Sequence, residues 1–219
     1  MTKAVIFDLD GVLIDSEIIS YDVYQEILHQ FGYELTREQY ARSYSGKTES
    51  ENVKALIETY HLAWTVETGL ENVLRIEDRF LSQGVAQKPG AKELLTYLKA
   101  HGLKIALASS STEERALKIL KQHDMVPFFD AFVFGHEVEN GKPKPDIFLK
   151  ACGKIGEKPE DCLVLEDSEA GIQAAYCANI PVICIPDLKT PDQKYLSMAK
   201  TVLRTLDEVR FFLAAQCKT

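Results

Sequence analysis

The chain has 219 residues, 46% hydrophobic and 26% charged, a balance that suits one sizeable folded core with or without a smaller attachment. A net charge of −8 and a pI near 5.2 argue against a surface built for nucleic acid or anionic lipid. No apolar run approaches the ~20 residues that span a bilayer, and the amino-terminal stretch is too short and acidic for a secretory signal, so a cytoplasmic, membrane-free monomer is the expectation.

The first element lies in "VIFDLDGVLIDSE", residues 5–17. Val5, Ile6 and Phe7 suit a buried strand, yet the run stops on Asp8 and a second carboxylate, Asp10, follows two residues later. Like charges that close repel, and partial burial adds to the penalty. Residues 16–82 then carry apolar positions at helical spacing (Tyr24, Ile27, Leu28, Phe31; Val53, Leu56, Ile57, Tyr60) and no comparable strand. They read as an inserted helical domain, with Trp64, Tyr60 and Leu62 in its own core. The chain re-enters the main body at "QGVAQKPGAKELL", punctuated by Gly84, Pro89 and Gly90.

Short runs rich in Val, Ile and Leu recur at 104–108, 131–134, 162–165 and 182–185. Amphipathic stretches alternate with them: Ala91–Ala100, Thr112–His123, Pro145–Lys154 and Glu169–Cys177. Such alternation implies a parallel sheet covered on both faces. The expected class is therefore α/β, a doubly wound parallel-sheet core (1–15 and 83–219) with an α-helical cap (16–82) and hinges near 13–16 and 82–88. The tail "TVLRTLDEVRFFLAAQ" reads as a short strand and a closing helix, with Thr205 as its cap and Glu208 three residues on. The five cysteines are odd in number and form no Cys-x-x-Cys, which fits reduced, mostly buried thiols. The histidines show no spacing suited to a metal or a catalytic dyad.

Four strand-like runs end in polar chemistry. They lead to Asp8 and Asp10, to Ser109-Ser110-Ser111, to Lys142 in "GKPKPD", and to Glu166-Asp167-Ser168. Singly, each has a bland reading. Ser111 with Glu114 fits a capping box, Lys142 fits a solvated loop, and Glu166-Asp167-Ser168 fits a helix start. Together they converge, because the carboxyl ends of parallel strands share one edge of the sheet. A hard divalent cation such as Mg²⁺ would make the crowded acids tolerable, with Asp8 and either or both of Glu166 and Asp167 supplying side-chain oxygens. X-Pro stiffening favours Lys142 over Lys144 as the site lysine, with Pro145 starting the next helix.

In this order, "DLDGVLIDSE", "LASSS", "GKPKPDIF" and "LEDSEAGIQAA" resemble the successive motifs of the haloacid dehalogenase superfamily, and the helical insert resembles its small cap. The likeness is greatest to the branch holding β-phosphoglucomutase and small sugar-phosphate phosphatases. The resemblance implies a Mg²⁺-dependent enzyme acting on a small phosphorylated metabolite. It gives Asp8 as nucleophile, the Asp10 carbonyl as a further metal ligand and the Asp10 carboxyl as acid and base. Ser109 and Ser110 would bind the phosphoryl group and Lys142 would stabilise its charge. Counting four acids against one lysine and the metal predicts that repulsion keeps a proton on Asp10. In the insert, Gly46 and Lys47 of "YSGKTES" form the expected turn, Lys47 reaching a distal anion. The mutase pattern has a histidine where this chain has Ser20, which favours a phosphatase; a mutase is the alternative, and a non-catalytic phosphate-binding module a more distant one.

Overall fold

The structure is a computed structural model and describes residues 2–45 and 47–216; Gly46 and Cys217 lie outside the described residues. The chain divides into two compact units, Met1–Asp15 with Ala86–Thr219, and Ser16–Val85. The return crossing falls three residues later than 82/83 because α4, the last helix of the insert, runs to Gln83, with Gly84 as its C-cap.

The first unit is a six-stranded parallel sheet in the order β3-β2-β1-β4-β5-β6. Its strands are β1 (Ala4–Phe7), β2 (Lys104–Ser109), β3 (Ala131–Phe134), β4 (Cys162–Glu166), β5 (Val182–Cys184) and β6 (Thr201–Val202). Every residue of β1, β4 and β5 is buried, as both-faces-covered strands require. The connecting helices are α5 (Ala91–Ala100), α6 (Glu113–Gln122), α7 (Asp146–Ile155) and α8 (Glu169–Cys177), followed by short α9 (Gln193–Leu196) and closing α10 (Leu206–Gln216). Thr205 does cap α10, accepting the Glu208 N–H at 3.2 Å, while the Glu208 carboxylate reaches back to the Arg204 N–H at 2.8 Å.

The strand order puts β1 in the middle, between β2 and β4. Phe7 pairs with Leu107 on one side and Leu165 on the other, so Asp8 and Glu166 leave their strands side by side with Ser109 across from them. Asp8 extends the ladder by one bond, from its N–H to the Leu165 carbonyl at 3.0 Å.

The second unit holds α1 (Ser16–Gln30), α2 (Arg37–Ser43), α3 (Glu49–Tyr60) and α4 (Val66–Gln83). Capping boxes at Thr36/Gln39, Thr48/Glu51 and Thr65/Thr68 start the last three. Tyr24, Ile27, Leu28, Val53 and Leu56 fill the core of this unit. Phe31, expected in the same stripe, falls past the end of α1 and is 42% exposed; it packs edge-on against Trp64. Among the described residues, no helix is long and apolar enough to cross a membrane. Cys152, Cys162 and Cys184 are buried free thiols, and Cys177 is exposed.

Candidate active site

Asp8, Glu166 and Asp167 each offer a carboxylate oxygen, and the three lie within 4.8 Å of one another. Among the described residues this is the one group of acids, histidines or cysteines so arranged. Lys142 joins them: its Nζ donates to Asp8 Oδ1 at 2.6 Å and to Glu166 Oε1 at 2.7 Å, and sits 5.1 Å from the centre of the Phe148 ring. It reaches the site from the loop after β3, through a cis Lys142–Pro143 peptide, with Pro145 at the start of α7 as its sequence suggests.

Burial pushes the Asp8 carboxyl up, to about 7; Lys142 opposes this, and Glu166 and Asp10 add to it. Burial alone would push the Lys142 ammonium down, but Asp8 and Glu166 outweigh it and hold it above its ordinary range. Three acids against one ammonium leave an excess of two negative charges when all are ionised. That excess matches one divalent cation, and an all-oxygen donor set suits Mg²⁺. Glu166 is the most enclosed of the three acids. Glu166 is fully buried, and its Oε2 already accepts from the Asp167 N–H, the Ser168 N–H and the Ser168 hydroxyl, each at 2.9 Å. Glu166 thus links Lys142 to the turn into α8.

Two glycines make the crowding possible. A Cβ on Gly171 would overlap the Glu166 carboxylate, and one on Gly11, whose φ is +75°, would overlap that of Asp167. "DG" and "EAG" thus leave room for acids, beyond forming a turn and a helix.

Asp10 does not stand among unbalanced acids. Its carboxylate accepts from Arg115 Nη1 at 2.9 and 3.1 Å and from the Ser111 hydroxyl at 2.7 Å. The charge count along the sequence omits Arg115, whose guanidinium faces Asp10, so the other acids are not the only charges acting on that carboxyl. Ser111 is likewise not the helix cap. Thr112 caps α6, accepting the Arg115 N–H at 3.3 Å, which frees Ser111 for Asp10. The missed signal was a cation in the first turn of a helix, where the dipole disfavours one. Ser168, in contrast, does cap its helix, accepting the Gly171 N–H at 3.0 Å.

Ser109 is buried at the end of β2, its Oγ accepting the Ser111 N–H at 3.1 Å, and Ser110 beside it is exposed. Lys47 belongs to the helical unit, where its Nζ donates to the Ser43 carbonyl at 2.6 Å. A second lysine with two acids, also unforeseen, ties the chain near its crossings. Lys88 bonds Asp15 at 3.1 Å and also pairs with Asp187, while Asp15 N–H to Ala86 and Lys88 N–H to Leu13, both at 2.8 Å, join the two linker strands.

The family model for haloacid dehalogenase-like hydrolases matches residues 5–185. This chain belongs to that family. It is 35% identical over 178 residues to a phosphorylated carbohydrates phosphatase from Thermotoga maritima, covering 81% of this chain and 82% of that one. It is 31% identical to a bifunctional riboflavin kinase/FMN phosphatase from Arabidopsis thaliana, covering 96% of this chain but 55% of that longer protein. A solved haloacid dehalogenase family hydrolase from Deinococcus radiodurans, with bound phosphate and sodium, superposes with a TM-score of 0.84 at 28% identity, over 98% of this chain and 96% of that one.

Proposed function

We propose that this hydrolase is a phosphoric monoester hydrolase that uses Mg²⁺ and an aspartyl-phosphate intermediate to cleave small phosphorylated metabolites, sugar phosphates first among them. The observation that carries the reading is the convergence of Asp8, Glu166 and Asp167 around Lys142. The names of the relatives, with phosphorylated carbohydrates and FMN among their substrates, support the substrate class.

In this reading an Asp8 carboxylate oxygen forms a bond to phosphorus as the bond to the ester oxygen breaks. Asp10 gives its proton to the departing alcohol. Water then attacks the aspartyl-phosphate, passing a proton to Asp10 as the Asp8–phosphorus bond breaks. Lys142 orients Asp8 and balances charge on the transferring group. The Ser109 hydroxyl, with Ser110 and the N–H groups opening α6, binds phosphoryl oxygens. Asp8, Asp167 and the Asp10 carbonyl would hold Mg²⁺, whose positive charge would admit a phosphate dianion beside these acids. Lys47 contributes selectivity for a distal anion.

A phosphate-release screen over phosphorylated sugars, sugar alcohols and nucleotides, with Mg²⁺ or with EDTA, tests the reading. Release that needs the metal and vanishes in Asp8→Asn is expected. Conversion of glucose 1-phosphate to glucose 6-phosphate with little free phosphate would make it a mutase, and turnover by neither route a binding module. Lys47→Ala should raise KM for substrates with a second anion, and unchanged kcat/KM would remove Lys47 from the site.

A further inference from the structure

Asp10 is held by a small network inside the core unit. Arg115 Nη1 spans both of its carboxylate oxygens, the Ser111 hydroxyl donates to Oδ2, and that same hydroxyl accepts from Arg115 Nη1 at 2.7 Å. The Ser111 N–H in turn donates to Ser109 Oγ. Thr112 sets the start of α6 and so brings Arg115, three residues on, back toward the sheet edge. The side chain of Asp10 remains 34% exposed and that of Arg115 18%, so the network grips the carboxylate without sealing it. A loose carboxylate at this exposure would sample several rotamers, and acid–base transfer demands a fixed one.

We propose that Arg115 and Ser111 are positioning residues for Asp10: they fix its carboxylate where it meets the departing alcohol and the incoming water, and link that placement to Ser109. This rests on the phosphatase reading above. In this assignment Arg115 acts through Asp10, so its removal should matter most where Asp10 matters.

The experiment compares wild type, Arg115→Ala, Arg115→Lys, Ser111→Ala, Asp10→Asn and the Asp10→Asn/Arg115→Ala double variant, with Mg²⁺ and thermal melting of each. Two substrates are used: p-nitrophenyl phosphate, whose leaving group needs no proton, and an alkyl sugar phosphate, whose leaving group does. Arg115→Ala should lower kcat/KM for the sugar phosphate by about 30- to 100-fold and for p-nitrophenyl phosphate by less than about 3-fold, since protonation of the leaving group contributes about 100-fold or more. Arg115→Lys should recover most of the loss, and Ser111→Ala, which keeps the guanidinium, should show the same substrate bias at smaller size. In the Asp10→Asn background, Arg115→Ala should have no further effect. Equal losses on both substrates, or an undiminished effect of Arg115→Ala in the Asp10→Asn background, would overturn the assignment. If wild type and Asp10→Asn turned over the sugar phosphate equally, the acid–base reading itself would fail; if only Asp10→Asn were slow, Arg115 alone would lose its role.

Discussion

Two lysines in the core unit each bridge two carboxylates, and they do different work. Lys142 joins Asp8 and Glu166, with side-chain exposures of 7%, 10% and 0%. Lys88 joins Asp15 and Asp187, at 19%, 26% and 8%. Around Lys142 a third acid, Asp167, lies close to Asp8 and Glu166, which leaves an excess of negative charge when all are ionised. Around Lys88 no comparable group of three acids gathers among the described residues, and the lysine instead ties the two linker strands to the loop after β5. In the proposed function, similar chemistry is a receptor where negative charge is in excess and a clamp where the acids lie on segments that must be held together.

The contrast can be broken most severely at Lys142. Lys142→Ala should reduce kcat by about 100- to 1000-fold, since it removes charge stabilisation at the transferring group, and steady-state phosphate release measures it. Gly171→Ala tests the crowding: displacing the buried Glu166 should lower stability by about 3 kcal/mol and reduce turnover, read by urea unfolding and kinetics together. Lys88→Met should leave kcat/KM within a few-fold while lowering stability by about 1–3 kcal/mol, because Asp187 loses its partner in partial burial. A large loss of kcat there would erase the distinction between receptor and clamp.

The smallest effect sharpens the comparison through pH. In metal-free protein the Asp8 carboxyl sits near 7 and that of Asp187 is also raised, chiefly by burial in both cases. Between the ordinary carboxylate range, about 4, and those raised values, the folded chain keeps protons that the unfolded chain has lost. Stability should therefore decline as pH rises through that window. Urea midpoints in EDTA should fall from pH 5 to pH 8, and Asp8→Asn should flatten most of the slope. Mg²⁺ should raise the midpoint more at pH 8 than at pH 5, because at pH 5 it must displace the proton on Asp8.

Much of this was open to reading before any fold was known. Strands buried on both faces need unbroken apolar runs, so Ala4–Phe7, Cys162–Glu166 and Val182–Cys184 announce themselves, and abrupt acids at their ends mark one edge. Helix starts are harder, since neighbouring hydroxyl residues are equal locally. Ser111 and Thr112 can both cap, and the bond from Ser111 to Asp10 accompanies the choice of Thr112.

Local pattern determined the parallel α/β core, the helical insert and the cluster of acids, because burial and helical or strand period act over a few residues. Tertiary structure alone decided what balances each acid. Strand order set Asp8 between Ser109 and Glu166, Arg115 came to Asp10 across 105 positions, and Lys88 came to Asp187 across 99. Electrostatic attraction depends on distance in space, which spacing along the chain does not specify.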